Sequence, residues 1–268
     1  MFTDIFPKPF TSIGMVHLLP LPGAAHRHPP PLDNTIAAAV RDATVLQDVG
    51  FDGVLIENFG DAPFYGQNVP ADTVSSMSVV AWEVRKAISL PIGINVLRND
   101  ALAAIAVAKA THADFIRINI HMGVYDTDQG RIEGAADETL RYRTQLGAEQ
   151  VNIFTDAHVK HAQPVAPFKD IFEEIETLLY RGDSDAIILT GPATGKPADL
   201  DVLQAAREKH PQVPILIGSG VTVEQLPAIM ESASGVIIGT SIKTGGKTSN
   251  PVDPDRAQEF MNTVNSAL

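Results

Sequence analysis

The chain has 268 residues, 44% hydrophobic and 19% charged, enough apolar material to fill one large core. It contains no cysteine, which excludes a disulfide scaffold, thiolate metal ligation and a cysteine nucleophile. The formal net charge of −12 argues against a nucleic-acid or anionic-membrane surface, although backbone N–H groups and a local cation are enough to bind a small anion.

The opening Met1–Pro9 shows neither the basic start nor the apolar core of a secretion leader. No apolar run approaches the roughly 20 residues that cross a bilayer. The expectation is a cytoplasmic protein without a transmembrane segment, folded as one domain over residues 1–268 and assembled as a homo-oligomer.

From there one unit recurs: a short apolar run, a polar or glycine-rich turn, then a helical pattern. Eight strands are expected, at Ile13–His17, Gly53–Glu57, Ile92–Val96, Phe115–Ile120, Val151–Asp156, Ala186–Thr190, Ile215–Ile217 and Val236–Ile238. Between them, Ile36, Ala39, Val40 and Ala43 keep helical spacing, with Asp33 or Asn34 as cap and Gly50 as stop. Further helices follow Asn99-Asp100 and Asp170, and Thr222 to Gln225 forms a capping box. Alternating β and α units imply parallel strands. Eight units of about 33 residues suit a closed (β/α)₈ TIM barrel of the phosphate-binding type. An open doubly wound sheet would need a glycine fingerprint after the first strand, where His17 to Gly23 stands instead.

Alternation within the strands predicts a polar mouth. In Phe115 to His121 the even positions are isoleucine, so Arg117, Asn119 and His121 should point into the barrel near its C-terminal end. Asn95 and Asp156 take the inward parity on their strands, and His17 and Glu57 end the first two. Active sites of such barrels form at this rim. A structural ion pair is the plain alternative for Arg117.

The last two turns read as a phosphate cradle: Gly218, Ser219 and Gly220 after the seventh strand, Gly239 and Thr240 after the eighth, with Lys243 reaching in. Two ligand-free tight turns are the alternative. The string Gly245-Gly246-Lys247-Thr248 is not a Walker A loop, since that motif needs glycine where Ser241 stands. Asp156, His158, Lys160 and His161 crowd the fifth loop. Lys160 there suits a Schiff base or a proton shuttle. Asp156 with a histidine and Glu57 is a candidate divalent-metal set, without the spacing of a known metal motif. The long segment Tyr125–Gly134 resembles a lid over the mouth, with an ordinary mobile surface loop as the alternative, and it is too poor in acids for a calcium loop.

Several of these strings together resemble the BtpA/SgcQ family. They are Ile13–Gly23, Glu57–Phe64, Asn95–Asp100, Arg117–His121, Thr127–Gly134, Val159–Ala162, Thr190–Gly195, Gly218–Thr222, Gly239–Lys243 and Asn250–Asp253, and they span about Ile13 to Phe260. Met122 departs from the smaller residue the pattern leads one to expect. The resemblance implies a phosphate-binding barrel. It also implies either photosystem I biogenesis, with peripheral membrane association in a photosynthetic host, or sugar-phosphate metabolism, and it transfers no catalytic set.

The leading expectation is an enzyme on a small phosphorylated metabolite, a sugar phosphate undergoing isomerisation, epimerisation or cleavage. Glu57, His17, His121, Asp156, Lys160 and His161 would exchange protons, while Asn95, Arg117 and Asn119 orient the ligand. The alternatives are a non-catalytic photosystem I factor and a metal-dependent hydrolase.

Overall fold

The computed structural model describes residues 1–26, 28–191, 199–218 and 220–268. Its strands in chain order are β1 (Thr11–His17), β2 (Gly53–Glu57), β3 (Ile92–Asn95), β4 (Phe115–Ile118), β5 (Val124–Thr127), β6 (Gly130–Glu133), β7 (Asn152–Ala157), β8 (Ala162–Ala166), β9 (Ala186–Thr190), β10 (Ile215–Gly218) and β11 (Gly235–Ile238). Eight of them close a parallel barrel in the order β1-β11-β10-β9-β7-β4-β3-β2. Closure is completed by β1, where Ile13 lies beside Gly53 on one side and Ile237 on the other. All eight expected strands are therefore present, and the closed barrel replaces the open-sheet alternative.

Side-chain alternation divides the apolar residues into two cores. The larger lies between barrel and helices and takes the even-numbered Ile92, Ile94, Ile116 and Ile118. The smaller fills the barrel interior with Ile13, Met15, Leu55, Phe115, Phe154, Ile188, Leu216 and Ile237. Phe115 stacks on Phe154 at 4.5 Å between centroids. Gly93 makes this possible, because a Cβ there would lie 2.2 Å from the Phe115 ring.

The N-terminal segment supplies a feature the sequence did not announce. A short helix, Phe2–Ile5, lies at the bottom of the barrel, and Phe2 and Phe6 join the interior core. Phe2 sits 5.6 Å from Phe154, and Phe6 meets Phe115 edge-on at 5.8 Å.

The helix caps follow the sequence with one correction. Asp100 accepts a bond from the Ala103 N–H, and Asp170 caps Phe172 and Glu173. The first long helix, however, is Leu32–Asp48, entered from Pro31 with no side-chain cap. Asp33 and Asn34 lie inside its first turn, because the proline-fixed backbone starts the helix earlier. The lid-like segment is an ordered structure: β5 and β6 form a hairpin that pairs with β8 in a three-stranded antiparallel sheet. Among the described residues no helix is long and apolar enough to cross a membrane.

Candidate functional site

At the C-terminal rim, β1 and β2 run in register, so His17 stands beside Glu57, and Glu57 in turn stands beside Asn95 of β3. His17 Nε2 is 3.6 Å from Glu57 Oε1. Burial pushes the His17 pKa well down, and the Lys243 and Lys160 charges lower it further, so the ring is neutral and the contact is not an ion pair. Burial pushes the Glu57 pKa up, against the opposing pull of Arg117, Lys160 and Arg98.

Arg117 on β4 and Asp156 on β7 form a fork between neighbouring strands. Arg117 Nε donates to Asp156 Oδ1 at 2.8 Å and Nη2 to Oδ2 at 2.9 Å, with both side chains almost fully buried. Asn119 Nδ2 adds a third bond to Oδ2 at 2.9 Å. Asn95 Nδ2 braces the pair by donating to the Arg117 carbonyl at 3.1 Å and to Asn119 Oδ1 at 3.2 Å. Burial acts to lower the Arg117 pKa, but the Asp156 charge and hydrogen bonds overcome it and hold the guanidinium above its ordinary value. Asp156 is thus engaged on both oxygens. Its position suits holding Arg117 better than carrying protons.

Lys160 enters from the loop after β7. Its N–H donates to Thr190 Oγ1 at 3.1 Å, and its carbonyl accepts from Arg98 Nη2 at 2.7 Å. Burial lowers the Lys160 pKa, and the Arg117 charge lowers it further.

His17, Glu57, Arg117 and Lys160 line a cavity of about 230 Å³, and the opposite wall is made by Gly220–Thr222 and Gly239–Ser241. The two turns are tied together, since Ser241 Oγ donates to the Val221 carbonyl at 2.9 Å. Gly239 matters by its bareness: a Cβ would come within 2.9 Å of His17 Cε1. Gly218 sits below, where a Cβ would lie 2.5 Å from Ile188 Cγ2 and 3.8 Å from Arg117 Nη2. Ser219 lies outside the described residues, as do Pro192–Gly195 of the Thr190–Gly195 string. The structure therefore brings together His17, Glu57, Asn95, Arg117, Asn119, Asp156, Lys160, Gly218, Gly220, Gly239 and Thr240.

Four expectations need correction. His121 is not in the mouth. Strand β4 ends at Ile118, alternation stops there, and His121 Nε2 donates to the Gly182 carbonyl at 2.8 Å in the turn after the helix Ile171–Tyr180. Ile120 likewise packs with Tyr125, Ile132 and Val159 under the hairpin sheet. Lys243 does not reach the cradle: the turn Thr240–Ile242 swings it outward, where Nζ pairs with Asp42 Oδ2 at 3.1 Å on the helix Leu32–Asp48. The helix expected at Thr222 is a single 3₁₀ turn followed by the five-residue Leu226–Met230, so its dipole is small. His161 is exposed on the loop beside Lys160, with Lys160 and Arg98 as charged neighbours. Met122 packs against the outer core, clear of the cavity.

A divalent metal does not fit these residues. Both Asp156 oxygens are occupied by Arg117 and Asn119, and His158 faces Glu174 at 3.6 Å. No group of three or more potential ligands occurs among the described residues.

Sequence reasoning missed Arg98, which is buried and anchors the Lys160 loop, because parity does not reach past a strand end. It also missed Asn58, whose Oδ1 accepts the Leu97 N–H at 2.7 Å and joins the second loop to the third. The charge of Arg98 just beyond the third strand was the available signal.

Comparison with known families matches residues 8–266 to the BtpA family. The chain belongs to the BtpA family. Among relatives, an uncharacterized protein of Thermococcus kodakarensis is 46% identical, covering 96% of this chain and 95% of that one. The photosystem I biogenesis protein BtpA of Synechocystis is 41% identical over 96% of this chain and 88% of its own. Among solved structures, N-(5'-phosphoribosyl)anthranilate isomerase from Pyrococcus furiosus superposes with a TM-score of 0.60, covering 96% of this chain and 99% of that one. At 11% identity, that likeness shows the barrel fold alone. The BtpA-family strings quoted from the sequence include the residues that build this mouth, Glu57, Asn95, Arg117 and Gly239 among them.

Proposed function

We propose that this BtpA-family chain is an enzyme acting on a small phosphorylated metabolite, with proton-transfer chemistry of the isomerase, epimerase or lyase kind. The observation that carries this reading is the single cavity shared by two glycine–hydroxyl turns and four groups of tuned protonation, His17, Glu57, Arg117 and Lys160. The turns present backbone N–H groups and the Thr240 hydroxyl to a phosphate. Arg117, rigid on its Asp156 fork, holds a ligand oxygen. Glu57 has its pKa raised and Lys160 has its pKa lowered, so the two approach each other, which favours proton exchange between them. A cytoplasmic homo-oligomer belongs to the same proposal. The oligomer part rests on Val79 and Trp82, which are exposed one helical turn apart on the helix Ala71–Ala87.

Inorganic phosphate and a panel of sugar phosphates should raise the melting temperature, by about 2.7 kcal/mol of stabilisation at a hundredfold excess over Kd. Gly239→Val should weaken the effect at least about tenfold by filling the space beside His17. Lys243→Met should lower stability and leave the affinity unchanged. No stabilisation by any member of the panel would refute the proposal.

A second reading, a non-catalytic factor in photosystem I biogenesis, is favoured by the name of the Synechocystis relative and by its identity along nearly the whole chain. It makes no use of the proton-exchanging groups in the cavity.

A further inference from the structure

Four cations stand near the rim, and three of them are committed. Arg98 Nη2 donates to the Lys160 carbonyl at 2.7 Å. Arg117 is forked onto Asp156, and Lys243 is paired with Asp42. Lys160 differs: among the described carboxylates none lies within ion-pair distance of its amine, although Glu57 lines the same cavity. Its backbone is held on both sides, by Thr190 and by the buried Arg98, so the side chain projects from a fixed base. An amine with no carboxylate at ion-pair distance, lining the same cavity as a carboxyl group, is equipped as a nucleophile.

We propose that Lys160 forms an imine with the carbonyl carbon of a phosphorylated aldose or ketose whose phosphate rests on the turns at Gly220 and Gly239. This rests on the reading above and names its substrate class. The neutral amine of Lys160 adds to the carbonyl carbon, and the C=O π pair moves to oxygen. Glu57 protonates that oxygen and then takes the excess proton from nitrogen, giving a carbinolamine. Glu57 returns the proton to the hydroxyl, which leaves as water as the nitrogen lone pair forms C=N. The net change is amine, carbonyl and the Glu57 carboxylic acid to protonated imine, water and the Glu57 carboxylate, with no oxidant or reductant. The protonated imine then draws electrons from the neighbouring carbon, which is what isomerisation or carbon–carbon cleavage requires. Burial and the Arg117 charge favour the neutral amine that the first step needs.

The test traps the imine in the full chain with cyanoborohydride, in the presence of dihydroxyacetone phosphate, glyceraldehyde 3-phosphate or ribose 5-phosphate, and maps the adduct by mass spectrometry. With at least one of the three, Lys160 should label at least about tenfold faster than the exposed Lys247. Inorganic phosphate should protect it, Lys160→Arg should abolish the label, and Glu57→Gln should slow it. No selective adduct at Lys160 with any of the three overturns the proposal. Melting curves with phosphate on the same samples keep the two ideas apart: stabilisation without an adduct removes the imine alone, whereas neither effect removes both.

Discussion

Asp156→Ala should destabilise the fold by about 3–5 kcal/mol, because it leaves the Arg117 guanidinium buried without its counter-charge. The pair lies at the centre of the barrel's upper layer, where two guanidinium N–H groups and the Asn119 amide all end on one carboxylate. Removing that carboxylate leaves three donors without an acceptor, and water has little access to replace it, since Arg117 is only 4% exposed. Urea unfolding of the single variant gives the size of the loss. A double variant, Asp156→Leu with Arg117→Met, should recover most of it, because the charge and its partner leave together and apolar groups fill the space. A single variant within about 1 kcal/mol of the parent, or a double variant no better than the single, would show that the fork is not what holds this layer.

The second large effect is a pH dependence centred on Glu174. This residue sits on the helix Ile171–Tyr180, accepts a hydrogen bond from the Tyr125 hydroxyl of β5 and another from the His158 N–H at 3.1 Å. Burial raises its pKa to about 7, with the Tyr125 and His158 hydrogen bonds acting the other way. In the unfolded chain the carboxyl releases its proton near the usual glutamate value, so the folded form holds the proton over a wider range. Its stabilising contribution is complete below about pH 4.5 and lost as the pH rises through about 7, for a total of about 3 kcal/mol. Glu174→Gln carries no such titration. The difference in stability between variant and parent should therefore shift in the variant's favour by about that amount between pH 4.5 and pH 8. Parallel curves across the range would contradict it. The two bonds tie the hairpin sheet to the loop that carries Lys160.

The barrel was legible because its signals are local and periodic. Runs such as Ile92 to Asn95 and Phe115 to Ile118 show their inward and outward faces by alternation alone, and Asp100 and Asp170 announce helices by their capping chemistry. Parity also placed Asn95, Arg117, Asn119 and Asp156 on one wall. It failed at His121, because alternation is a property of extended backbone and β4 stops three residues earlier. Lys243 was misplaced for a related reason, as a 3₁₀ turn redirects the side chain and its partner Asp42 lies two hundred residues away in sequence. The sheet formed by β5, β6 and β8 went unforeseen because the pairing of β8 with β5 joins segments that no local pattern connects. Arg98 and Glu174 went unseen because each acts through a backbone atom of another loop, and such bonds leave no trace in spacing.

The aromatic stub ahead of the first strand has a consequence for traffic. With Phe2 and Phe6 seated against Phe115 and Phe154, the far end of the barrel is stoppered. The well above it is blind, and whatever enters leaves by the same door. Arrival and departure therefore compete for one passage, and a product that lingers there blocks the next molecule from entering.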